Sequence, residues 1–142
     1  MTTGNNPGPA TTAGPATQNL SANRAIRLLA SSKGVTLNAV GDSAVVPVLG
    51  SPSSWSPLYI IFTNASVSLA QAYAAVYTGP AASGTGVLTA QALSTCSGST
   101  VVYSVAPTTT VLETAQQLYF RCTTINTAAA TVDMYVFGYD FS

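Results

Sequence analysis

The groups that could move a proton or hold a metal ion are few in this 142-residue chain. Its carboxylates are Asp42, Glu113, Asp133 and Asp140, its thiols are Cys96 and Cys122, and it has no histidine. Without histidine the usual general base is gone, and with it the Ser-His-Asp and Cys-His nucleophile systems. Two thiols and no imidazole do not make the four ligands of an ordinary zinc site. A pair such as Asp133 and Asp140 would be the natural acid and base of a glycoside hydrolase, but solvated carboxylates account for such a pair more simply. The stretch Gly79-Pro-Ala-Ala-Ser-Gly-Thr-Gly86 has the glycines of a phosphate loop without its lysine or following helix, and reads as a turn. No catalytic, cofactor-binding or metal-ligating residue is assigned, and the chain is read as a non-enzyme.

What must position the remaining side chains is a protein of very low charge. Charged residues make up 6% of the chain against 47% hydrophobic ones, where an average soluble protein has about 25% charged. The cations are Arg24, Arg27, Lys33 and Arg121, and the formal net charge is zero. So few cations argue against a nucleic-acid partner, which needs several to displace counterions. No apolar run reaches the length of a transmembrane helix, so no membrane partner is expected. The start, Met-Thr-Thr-Gly-Asn-Asn-Pro-Gly-Pro, has neither the basic nor the apolar region of a secretory signal, so the expectation is synthesis in the cytoplasm, or else a mature form. In that reducing compartment Cys96, in a turn, and Cys122, in a strand, are expected to stay free. A surface of Ser, Thr, Asn and Gln lacks the charge that keeps crowded proteins apart. Burial in a permanent assembly would account for it; so would a Thr/Ser-rich β protein that tolerates low charge.

Residues 1–22, with Pro7, Pro9 and Pro15 among Gly, Thr and Ala, show no periodicity and read as an extended arm. Fully extended it would reach on the order of 70 Å; a tether lying on a neighbouring subunit is the expected role, and a disordered terminus the alternative. Residues 23–142 read as one domain. Asn23 to Ala30 fits neither a helix nor a strand decisively; its Arg24 and Arg27 could meet an acidic patch on a partner or form a solvated rim. From Val35 the pattern is β to the end: Val35–Val40, Ala44–Leu49, Leu58–Thr63, Ser68–Tyr77, Val87–Leu93, Thr100–Ala106, Gln117–Thr123 and Thr131–Tyr139. Gly41-Asp42-Ser43, Ser51–Pro57 and Thr78–Gly86 read as turns or loops between them. Pro47 implies an edge strand or a bulge, and Leu58–Thr63, apolar on both sides, implies a central strand. Leu118, Phe120 and Cys122 should face inward. About eight segments at this spacing make an all-β antiparallel sandwich.

The closing strand alternates strictly. Val132, Met134 and Val136 lie on one side, Asp133, Tyr135, Phe137 and Tyr139 on the other. With Tyr73, Tyr77 and Trp55 these aromatics are the expected contact residues, since Tyr supplies rigid area with a polar tip at protein interfaces. The same rings would also stack on sugars, Trp55 first among them, and Tyr on a half-buried sheet face needs no partner at all.

The chain resembles the small cement or decoration proteins that tailed bacteriophages place over their heads. The resemblance lies in Ala39-Val-Gly-Asp-Ser-Ala-Val-Val-Pro-Val48, Ile61-Phe-Thr-Asn-Ala-Ser-Val-Ser-Leu69 and Ala74-Ala-Val-Tyr-Thr-Gly79. It continues in Gln117-Leu-Tyr-Phe-Arg-Cys122 and Ala128-Ala-Ala-Thr-Val-Asp-Met-Tyr-Val-Phe-Gly-Tyr-Asp140, and so spans roughly residues 35–142 without the arm. It implies a jelly-roll or related β-sandwich that binds the major capsid protein, as a homodimer or homotrimer, across joints between capsid subunits on the outer surface of the virion. It brings no active-site residues and no cofactor. The rival expectation is a head-fibre or glycan-binding module on the same fold, and a third is a subunit that forms its own shell.

Overall fold

In a computed structural model residues 26–141 are described. The arm at 1–22 and Arg24 lie outside the described residues. Eight strands follow in chain order: β1 (Arg27–Thr36), β2 (Gly41–Pro47), β3 (Trp55–Thr63), β4 (Tyr73–Gly79), β5 (Ser83–Ala92), β6 (Val102–Val105), β7 (Gln117–Thr124) and β8 (Thr131–Asp140). They form two four-stranded antiparallel sheets, a first in the order β1-β8-β3-β6 and a second in the order β2-β7-β4-β5. First pairs with last, second with seventh, third with sixth and fourth with fifth. That is a long hairpin rolled on itself, the jelly roll.

The period-two pattern builds the core. Leu118, Phe120 and Cys122 of β7 and Val132, Met134 and Val136 of β8 all have zero exposure, as their alternation requires. They meet Ile60, Phe62 and Trp55 of β3, Val76 and Leu88 of the second sheet, and Leu69, Leu93 and Cys96 from the loops. β3 lies between β8 and β6, the central place expected for a strand apolar on both sides.

Several boundaries differ from the sequence pattern, each for a local reason. Of the ambiguous stretch Asn23 to Ala30, the part from Arg27 on is strand; Leu29 and Ala30 are both buried because a register shift between Leu28 and Ala30 interrupts the alternation. The expected strand Val35–Val40 ends at Thr36, because Leu37 and Asn38 are drawn to the loop after β7: the Leu37 N–H donates to the Ala130 carbonyl at 2.9 Å, and Asn38 Oδ1 accepts from the Ala130 N–H at 2.9 Å. Gly41-Asp42-Ser43 is therefore the start of β2 rather than a turn. The strand expected from Ser68 begins only at Tyr73, and Ser51–Pro57 is not wholly loop, since β3 starts at Trp55.

Pro47 ends β2, an edge strand. The Val48 N–H points inward to the Gln116 carbonyl at 2.9 Å, so by alternation the Pro47 nitrogen, which has no hydrogen to give, faces the open edge.

The long turn expected at 78–86 contracts to Pro80–Ala82, and β5 begins at Ser83. Ala81 and Ala82 have φ of 53° and 62°, the left-handed region that a tight hairpin demands of both central residues. Alanine tolerates it poorly where Asn-Gly is the usual solution. The double variant Ala81→Asn/Ala82→Gly is expected to stabilise the fold by about 1–2 kcal/mol, read as a higher denaturant midpoint at unchanged slope.

Candidate interaction surface

The outer face of the first sheet is built by three strands whose inner sides fill the core. With Val132, Met134 and Val136 turned in, β8 turns out Asp133, Tyr135, Phe137 and Tyr139. Register then sets their neighbours. Phe137 lies between Leu28 of β1 and Tyr59 of β3, and Tyr135 between Ser31 and Ile61, with Ser104 of β6 beyond. Tyr139 sits beside Ser56. The Tyr59 and Phe137 rings stack with centroids 5.1 Å apart and planes 20° apart, and Tyr139 tilts against Phe141 at 6.1 Å. These aromatics are half-buried by one another, which fixes their rings in place. Val102, at 65% exposure, closes the row on the β6 side.

Charge on this face is spent within the molecule. Asp133, only 6% exposed, accepts from the Gly34 N–H at 2.8 Å and from Asn64 Nδ2 at 3.3 Å. At the opposite end of the strand, and turned to its other side, Arg27 donates to Asp140 Oδ2 from Nε at 3.0 Å and Nη2 at 2.8 Å, and to the Leu28 and Leu49 carbonyls. Apart from Lys33, exposed on the β1 edge, what remains outward is apolar and hydroxyl surface, the character of an interface centre rather than a rim.

Tyr135, Phe137 and Tyr139 are thus brought together as expected, with Arg27 at the edge as half of an ion pair. The other candidates part company. Tyr77 lies on the outer face of the second sheet, beside Tyr119 and Gly86, in a row that continues to Val45; Tyr73 stands at the far end of β4. The face of Tyr77 is also pinned by charge, the Arg121 Nη1 donating to Asp42 Oδ1 at 2.7 Å. The Ala81 N–H, first, and Arg121 hold the Asp42 carboxyl below its usual range.

Trp55 corrects the sequence reading outright. It has zero exposure, its indole N–H donates to the Ala115 carbonyl at 2.8 Å, and its main chain bridges Glu113 in both directions. No sugar can reach it. The acid pair also dissolves: Asp133 and Asp140, seven positions apart on one strand, are separated by about 23 Å and face opposite ways. Cys96 and Cys122 are free and buried, and burial raises both thiols. Among the described residues no three of His, Cys, Asp and Glu gather as a metal site would need.

Pattern reading missed Leu28, Tyr59, Ile61, Val102 and Phe141 as members of the aromatic face. For Tyr59 and Ile61 the signal was present in a strand apolar on both sides; for the others it lies only in the register. Compared with family models, with curated proteins and with solved structures, the chain matches none of them.

Proposed function

We propose that the protein is a structural virion component that binds the outer surface of a phage head across joints between major capsid subunits and stabilises the closed shell. The observation that carries this reading is the outer face of the first sheet, where Leu28, Tyr59, Ile61, Tyr135, Phe137 and Tyr139 form one surface and the Asp133 carboxylate beside them is taken up by the Gly34 N–H and Asn64 Nδ2. Such a face suits adhesion to protein, and the resemblance over residues 35–142 supplies the kind of protein. A molecule bound across a joint adds its binding free energy to the closed form of the shell. Repetition over many equivalent joints lets modest single contacts sum. The glycan-binding alternative loses the residue it rested on, since Trp55 is core.

The test is attachment of purified protein to emptied heads, with stoichiometric recovery on intact particles as the first observation. Tyr135→Glu/Tyr139→Glu places two charges on half-exposed positions of the face. It is expected to weaken attachment about 30-fold or more, the scale of losing interface anchors, while the thermal melt stays close to the parent's. Undiminished attachment, or glycan binding without capsid affinity, would overturn the proposal.

A further inference from the structure

A sandwich of two open sheets has four edge strands, each offering unpaired N–H and C=O groups to another chain, and such edges are ordinarily blunted. Here three of the four are. On β1, Leu29 O accepts from the Leu49 N–H at 2.7 Å, two register shifts break the edge, and Lys33 stands exposed on it. On β2, Pro47 withholds its donor, and Ser43 Oγ is tied back to the Thr36 carbonyl at 2.9 Å. On β5, the Val87 carbonyl and the Thr89 N–H are both taken by Thr108, at 2.8 and 3.0 Å.

The fourth, β6, has no such device. Val102 to Val105 pair with Thr63 to Ile60 in unbroken register, and the strand contains no proline, glycine or charged residue. Among the described residues nothing bonds the side of its main chain that faces away from β3. Val102 and Ser104 stand exposed on the same outer face as Ile61 and Tyr135, while Tyr103 and Val105 pack against the core. The surroundings are equally bare of charge: from Ser43 to Leu112 the chain contains no Asp, Glu, Lys or Arg. β3, β4, β5 and β6 lie wholly inside that span, so every charge but Glu113 in the described domain belongs to β1, β2, β7 or β8.

We infer that β6 is the pairing edge for β6 of a second copy of this chain, joining two first sheets into one antiparallel eight-stranded sheet about a two-fold axis. The absence of charge selects that partner: a two-fold contact sets each patch against itself, and any net charge there would repel its own copy. The arm at 1–22 is a poorer ladder partner, because Pro7, Pro9 and Pro15 have no N–H to donate. Directly opposed residues of an antiparallel pair share a face. The axis therefore passes beside Tyr103 or Ser104, the two cores stay on one side, and the two aromatic faces become a single surface. The inference does not rest on the capsid reading, since a dimer can form without any affinity for a phage head.

Sedimentation of the full chain from low micromolar to millimolar concentration is expected to show a monomer–dimer equilibrium. Val102→Lys, at a position already 65% exposed, sets two like charges across the axis and is expected to weaken dimerisation by at least about tenfold, with the melt of the dilute protein unchanged; Ser104→Lys is the second variant. A nitroxide on Ser104→Cys reports the partner's identity, because Cys96 and Cys122 are buried from the label. Pairing of β6 with β6 puts the two labels on strands roughly 4.8 Å apart; strand addition by an arm leaves them a molecule's width apart. A monomer at all concentrations, a dimer indifferent to both lysine variants, or distant labels would each overturn the inference.

Discussion

Gly138→Ala is expected to unfold the domain or leave it barely stable. Position 138 falls on the core side of β8, in line with Val132, Met134 and Val136, and pairs with Pro57 where β3 bulges between Pro57 and Tyr59. A methyl group built there runs into the Ser56 carbonyl oxygen and comes within 2.8 Å of Leu29 Cδ1 and 3.0 Å of Pro57 Cα. Two of the three obstacles are main chain, so no rotamer change relieves them. β3 would have to part from β8, disturbing the centre of the first sheet. Overpacking of this kind costs about 3 kcal/mol or more, which lowers the melting temperature by roughly 10 °C or more in a domain of this size. Gly98→Ala is the internal control, because a methyl at that glycine meets nothing within 4 Å. It should move stability by less than about 0.5 kcal/mol. A Gly138→Ala protein that melts with the parent would show that β3 and β8 do not approach as closely as described.

Trp55→Ala comes next in size and separates two roles for the same residue. A fully buried indole removed from the core leaves a cavity and an unpaired Ala115 carbonyl, at a cost of about 3–5 kcal/mol. Trp55→Phe keeps most of the apolar bulk but loses the indole N–H, so its smaller cost, about 1–3 kcal/mol, reflects chiefly the stranded carbonyl. Chemical denaturation of the three proteins gives both numbers. A sugar-stacking tryptophan would behave in the opposite way, losing ligand affinity on substitution while stability held.

Much of the secondary structure could be read directly. The alternation Leu118, Phe120, Cys122 and Val132, Met134, Val136 identified the inner faces of β7 and β8 because a pleated strand sends successive side chains to opposite sides whatever its neighbours are. Pro47 marked an edge because it has no donor. Where the pattern failed, a partner distant in the chain had intervened. Leu37 and Asn38 left their strand for the loop at Ala130, more than ninety positions on. Asn126, in the loop between β7 and β8, is 5% exposed and clamps the Ser68 and Ala128 carbonyls with its Nδ2 at 3.1 and 3.0 Å. Nothing near Asn126 in sequence announces that.

The candidate surface divides in the same way. By itself the sequence determined that Tyr135, Phe137 and Tyr139 share a side of one strand, that little charge is present to solvate it, and that no histidine chemistry is possible. Tertiary structure alone decided what lies beside them, because register between strands is set by pairings scattered over the whole chain. It placed Tyr59 against Phe137, sent Tyr73 and Tyr77 to the other sheet, and joined Arg27 to Asp140 across 113 positions. It also took Trp55 inside, where the hydrophobic gain of burying the largest side chain outweighs any use at the surface. Local alternation follows from backbone geometry; adjacency follows from which faces bury the most apolar area together.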